Sequence, residues 1–314
     1  MNGLKDGLLL VHAHPDDECF ATGGLIARSV AEGRRVDLVT CTGGEEGEIH
    51  DPTLDESEAK PRLREIREQE LQCSLTALRG NGPGTLELHL LGYRDSGMIG
   101  TESNQRPDAF WNAELDEATG KLVEIVRRVR PAVMVSYDAN GNYGHPDHIN
   151  AYRIATAAWA AAADPSRYPD AGEAHAVEKL YEITFNRDRW TKLMAAMQER
   201  GIELPWGSDE AEKTDGAETA ETAETAETAT ESETGQDEEW GVPEEEITTI
   251  LDVSAWYEQK RASMDCHKTQ RQDMGWVLDM PPDLAARATS PEHFMLTKWR
   301  DREIPARYRE TSVF

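Results

Sequence analysis

Apolar and polar positions fall into short blocks along this chain, and each block has the period of a strand or a helix. Residues 7–13 form an apolar run that ends at a polar motif, which suits a buried strand. Residues 21–32 carry Leu25, Ile26, Val30 and Ala31 at near-helical spacing, with Gly33 as a stop. Residues 35–42 (RVDLVTCT) make a second strand, followed by Gly43 and Gly44. A strand, a helix and a strand within about 35 residues form a βαβ unit, so a parallel sheet is expected. The same reading places a charged helix at 61–78 with Pro61 at its first position. It places strands at 86–91 and 132–137 on either side of an amphipathic helix at 115–130, which Pro131 closes. An alanine-rich helix at 147–163, a strand at 179–185 and a helix at 189–200 follow. After an interruption come a strand at 247–253, a helix at 255–269 and an edge strand at 291–299. The expected fold is α/β: a Rossmann-like, mostly parallel sheet with helices on both faces, plus a smaller C-terminal α+β portion.

The interruption is compositional. Residues 217–228 read AETAETAETAET, a period of three with no apolar face. Such a segment buries too little surface to offset its ordering entropy, so disorder is expected over 208–239. The expected division is a catalytic domain at 1–207, an acidic low-complexity insert at 208–239, and a segment at 240–314 that completes the same domain and the substrate pocket.

Charge narrows the partners. The chain carries a net −27, of which residues 209–239 hold −12, so the remainder is also acidic at −15. Phosphate recognition needs basic patches, which excludes nucleic acid and anionic membrane surfaces as expected partners. No apolar run approaches the roughly 20 residues that span a bilayer, and no adequate signal-peptide core is present, so a cytoplasmic protein is expected. The sequence is silent on oligomeric state; a homo-oligomer is compatible with it. Cys19, Cys41, Cys73 and Cys266 form no C-x-x-C pair, and reduced thiols are expected, with Cys19 a small buried hydrophobe.

Candidate chemistry collects at strand ends. His14-Pro15-Asp16-Asp17-Glu18 follows the first strand, and Gly43-Gly44-Glu45-Glu46-Gly47-Glu48 follows the second. Arg94-Asp95-Ser96-Gly97-Met98 follows the third, and Tyr143-Gly144-His145-Pro146-Asp147-His148 follows the fourth. In an open α/β sheet ligands bind outside the carboxyl ends of the strands, so four polar loops converge on one edge. His14, Asp17 and His148 supply two imidazoles and a carboxylate for a metal. That set suits zinc with an open position for water, and it also suits iron(II). Asp16 beside the ligand Asp17 is placed to act as general base. His145, as an imidazolium, would stabilise the oxyanion and protonate the leaving amine. Asp147 would orient His145. Tyr143 would donate to the oxyanion or cap the pocket. His12, still inside the strand, reads as a core histidine, and Glu18 as a carboxylate at a helix N-terminus.

With these residues in place the chain resembles the PIG-L/LmbE-type zinc-dependent N-deacetylase family. The matching stretches are VHAHPDDE (11–18), TCTGGEEGE (40–48), RDSGM (94–98) and YDANGNYGHPDH (137–148). Within the family it is most similar to the branch that deacetylates N-acetylglucosaminyl-inositol in mycothiol synthesis. The resemblance implies a Rossmann-like fold, zinc on His14, Asp17 and His148, Asp16 as general base, and His145 as electrostatic stabiliser and acid. It implies a mobile Tyr143 over the site. It suggests Arg67, Asp95 and Met98 as contacts to a small amino-sugar substrate, and His267 as a residue on a helix near the pocket. A paired arginine at 67 and a turn residue at 95 are the alternatives. The same core serves thiol-conjugate amidases, which cleave a cysteinyl–glucosamine amide, and deacetylases of other N-acyl amino sugars. The acidic insert is not a general feature of the family.

Overall fold

The structure is a computed structural model and describes residues 5–202 and 241–314. The expectation of disorder over 208–239 therefore lies outside the described residues. Seven strands are present among them: β1 (Lys5–His12), β2 (Arg34–Thr42), β3 (Thr85–Tyr93), β4 (Val133–Ser136), β5 (Lys179–Thr184), β6 (Thr249–Leu251) and β7 (Glu292–Trp299). They form one sheet in the order β3-β2-β1-β4-β5-β7-β6. β1 through β5 pair in parallel, and β7 runs antiparallel to both β5 and β6. Leu8, Leu9, Leu10 and Val11 of β1 are all fully buried, as expected for a central strand covered on both faces. The chain reverses its direction of winding between β1 and β4, and this switch point is where an open sheet leaves a crevice.

The helices are α1 (Asp17–Phe20), α2 (Gly23–Ala31), α3 (Glu56–Ala59), α4 (Leu63–Arg79), α5 (Leu115–Val129), α6 (Gly141–Gly144), α7 (Pro146–Ala161), α8 (Arg187–Glu199), α9 (Tyr257–Met264), α10 (Arg271–Leu278) and α11 (Pro282–Thr289). α2, α4 and α9 pack on one another, and α5 packs on α7. These two groups follow from right-handed crossovers running outward from β1 in opposite directions. No described helix is long and apolar enough to cross a membrane.

Two expectations are corrected here. The strand at the C-terminus is not an edge: β7 lies between β5 and β6, and the three-residue β6 is the edge. Glu292 explains why β7 is drawn inward. Its carboxylate accepts the N–H groups of Gly24 (2.7 Å) and Leu25 (2.8 Å) at the start of α2, and Lys260 Nζ approaches it at 2.6 Å. Both side chains are 2% exposed, so the charge is buried only because it is paired and hydrogen-bonded. Gly24 is required at this junction, since a Cβ there would meet Val253 at 2.5 Å. The second correction concerns thiols: Cys73 and Cys266 form a disulfide across 193 residues. Cys19 and Cys41 are free and buried, as a small hydrophobe would be. Cys19 belongs to a second core, with Met197, Met264, Met274 and Met280, beneath α8 to α11.

Candidate metal centre

β1 ends at His12, and the next residues turn over the carboxyl edge of the sheet into α1. The His14 N–H donates to Asp17 Oδ2 at 2.7 Å, and the Tyr137 hydroxyl donates to the same oxygen at 2.7 Å. His148 comes from the first turn of α7, which Pro146 opens. Its Nδ1 lies 3.2 Å from the Gly141 carbonyl, so Nδ1 carries the proton and Nε2 offers a lone pair. That Nε2 is buried without a hydrogen-bond partner among the described residues and faces Asp17 Oδ1 at 3.4 Å. Two lone pairs facing each other in a buried site call for a cation between them.

His14 completes the set. Its Nε2 lies 3.2 Å from Asp147 Oδ2, which leaves Nδ1 turned toward Asp17 Oδ2 at 3.5 Å. Zinc donors at about 2.0–2.2 Å in tetrahedral array stand about 3.4 Å apart. The spacings of 3.4 and 3.5 Å therefore fit His14, Asp17 and His148 around one ion.

His145 is close enough to share an ion with His14 and His148, but its bonding assigns it otherwise. Its Nδ1 accepts the Asp147 N–H at 3.1 Å, so the neutral ring carries its proton on Nε2 and is a donor, not a ligand. Burial, and then His14 and His148, push its pKa down to about 3. That direction disfavours the expected imidazolium. Asp147 holds His145 through its backbone N–H, while its carboxylate turns elsewhere. Its carboxylate does not orient His145; it accepts from His14 and from both the N–H (2.9 Å) and hydroxyl of Ser96.

Asp16 has φ 133° and ψ −27°, a conformation that costs a non-glycine residue about 1–3 kcal/mol. Its N–H donates to Glu18 Oε2 at 3.0 Å, and its Oδ2 lies 2.9 Å from Arg67 Nη2. Arg67 is 3% exposed and also donates to the carbonyls of Gly44 (2.9 Å) and Pro15 (2.6 Å). The paired arginine is therefore what the structure contains. The glycine loop after β2 exists to admit it: a Cβ on Gly44 or Gly47 would lie 2.3 or 2.5 Å from Arg67 Nη1. Burial raises Asp16 to about 7, with Asp17 adding to the effect and Arg67 opposing it. A carboxyl titrating near neutrality suits a general base.

The remaining predicted residues separate by exposure. Met98 and Tyr143 are 46% and 58% exposed, and the Tyr143 ring stands 4.9 Å from that of His148. Asp95 is buried, accepts from Gly97 N–H (2.8 Å) and Glu46 N–H (3.2 Å), and lies 3.7 Å from His14 Nε2. It acts as the turn residue. His267 is fully buried with its Nε2 2.8 Å from Glu18 Oε1. His12 is a core histidine, bonded to Thr22 (3.0 Å) and Tyr137 (3.3 Å). Ser96 and Tyr137 were missed as supports of the ligands. Both are polar residues inside the quoted motifs at strand ends, which was the available signal.

A model of the family described as PIG-L, GlcNAc-PI de-N-acetylase, matches residues 9–159. A 1D-myo-inositol 2-acetamido-2-deoxy-alpha-D-glucopyranoside deacetylase of Catenulispora acidiphila is 43% identical, covering 84% of this chain and 75% of its own length. A protein of the same description from Thermobifida fusca is 39% identical, covering 98% of both chains. Among solved structures, an N,N'-diacetylchitobiose deacetylase from Pyrococcus horikoshii superposes with a TM-score of 0.56 at 17% identity, covering 93% of this chain and 84% of its own. That last likeness bears on the fold alone.

Proposed function

The chain belongs to the GlcNAc-PI de-N-acetylase (PIG-L) family and is a deacetylase; on that premise we propose that it is a zinc enzyme that removes the acetyl group from an N-acetylglucosaminyl-inositol. The substrate follows from the printed activity of relatives matched over nearly their whole length. The observation that carries the metal reading is the unpartnered Nε2 of His148 facing Asp17. A zinc ion held by His14, Asp17 and His148 supplies, when bound, a Lewis acid for the acetyl carbonyl and a lowered pKa for attacking water.

The protein's own residues do the rest. Asp16, ionised above about pH 7, takes the proton of the attacking water and returns it to the departing amine nitrogen. His145 donates its Nε2–H to the carbonyl oxygen as negative charge gathers there. Because it is neutral beforehand, no charge is neutralised in the ground state. Arg67 holds the Asp16 carboxylate in place, so the base is preorganised. Tyr143 and Met98, exposed at the rim, flank the sugar. The test is acetate release from N-acetylglucosaminyl-inositol by the zinc-loaded protein. Its absence, with one zinc bound per chain, would move the reading to another N-acyl amino sugar or a thiol-conjugate amide.

A further inference from the structure

Glu18 is a carboxylate with no solvent exposure that takes no part in the proposed chemistry. It is bonded on all sides. Oε2 accepts the Asp16 N–H at 3.0 Å. Oε1 accepts from the Ser74 hydroxyl and from His267 Nε2 at 2.8 Å. Ser74 and His267 are themselves fully buried, and His267 Nδ1 makes no hydrogen bond among the described residues. Glu18 is therefore the group that fixes the His267 ring, and His267 supplies a hydrogen-bond donor that a buried carboxylate requires.

The two donors share a second relationship. Ser74 follows Cys73 and His267 follows Cys266, and those cysteines are joined. Cys73 is exposed and Cys266 half-buried, so a surface disulfide lies one residue from each donor of a buried cradle. The cradle ends at the amide of Asp16, whose strained φ of 133° persists only while its surroundings hold it.

We propose that Glu18, clasped by His267 and Ser74, is the positioning residue for Asp16, and that the Cys73–Cys266 disulfide is the latch that keeps this cradle closed. The inference rests on Asp16 being the base. A trialkylphosphine opens the latch: the S–S bond breaks, phosphorus gives up two electrons and takes oxygen from water, and the two water protons pass to the sulfurs. Four free thiols should then be titrated in the unfolded chain, in place of the two contributed by Cys19 and Cys41.

The experiment compares the full-length zinc-loaded protein before and after phosphine, together with His267→Leu and His267→Gln. Phosphine treatment and His267→Leu should each speed exchange of the Asp16 amide at least tenfold. Each should lower kcat at least tenfold with KM within twofold and zinc content unchanged. His267→Gln, whose Nε can still donate to Glu18, should recover kcat to within about threefold of wild type. Wild-type kcat and wild-type Asp16 amide protection in the reduced enzyme would overturn the proposal; so would the same result in a folded His267→Leu. Should the leucine variant not fold, the phosphine arm decides. If the untreated protein releases no acetate, the deacetylase reading fails, and amide exchange still decides the cradle.

Discussion

Asp147 stands behind His14: its Oδ2 lies 3.2 Å from His14 Nε2, while its other oxygen takes the Ser96 hydroxyl. This contact fixes which nitrogen of His14 is free for a metal and makes the imidazole a stronger ligand. Asp147→Asn keeps the shape and removes the charge. It should weaken zinc binding about 10–100-fold, or about 1.4–2.7 kcal/mol. Competition with a chelating dye measures this. Unchanged affinity would detach Asp147 from the ligand set.

Arg67 is the only cation in contact with Asp16 Oδ2 among the described residues, and it opposes the effect of burial there. Arg67→Met removes that opposition, so the Asp16 pKa rises and less base is ionised at pH 7. The acid limb of kcat/KM should move to higher pH, and kcat at pH 7 should fall about 10²-fold. A bound cation lowers the Asp16 pKa in both proteins, so the direction of the difference stands. A limb that stays put would show that Arg67 acts on the loop alone.

Burial pushes the His145 pKa down to about 3, so it should contribute no ionisation to the working range. His145→Gln should lower kcat about 10²–10³-fold, the cost of one lost oxyanion donor, with little change in KM. The acid limb should survive in the variant. Disappearance of a limb would mean that His145 titrates during turnover.

β1 and β4 were legible because central strands buried on both faces read as apolar runs, and β3, an edge strand, because its residues alternate. The proposed ligands His14, Asp17 and His148 stand out in the sequence because both histidine motifs follow strands. The disulfide was not legible, because Cys73 and Cys266 are brought together only by packing of α9 on α4. The inner position of β7 was hidden for a similar reason: Glu292 looks like an edge residue until Lys260 and the start of α2 enclose it. α10 and α11 have no counterpart in the sequence reading. Arg67 and His267 were placed near substrate, yet both are turned inward to hold the residues around Asp16.

Lys260 and Glu292 give a stability prediction independent of catalysis. Burial pushes the Glu292 carboxyl up, and Lys260 is the leading opposition. Lys260→Met leaves a buried carboxylate with only two backbone donors, and should destabilise the fold by about 3–5 kcal/mol. Urea unfolding should show a lower midpoint with an unchanged slope. A loss below about 1 kcal/mol would mean that the pair is solvated.

The most direct test of the central claim is acetate release from N-acetylglucosaminyl-inositol by the wild-type protein, measured as purified, after chelation, and after one equivalent of zinc is restored. The account predicts release that chelation abolishes and zinc returns, with Asp17→Asn failing to bind the metal. Release that survives complete removal of metal, or a zinc-loaded folded protein that releases none, would contradict it.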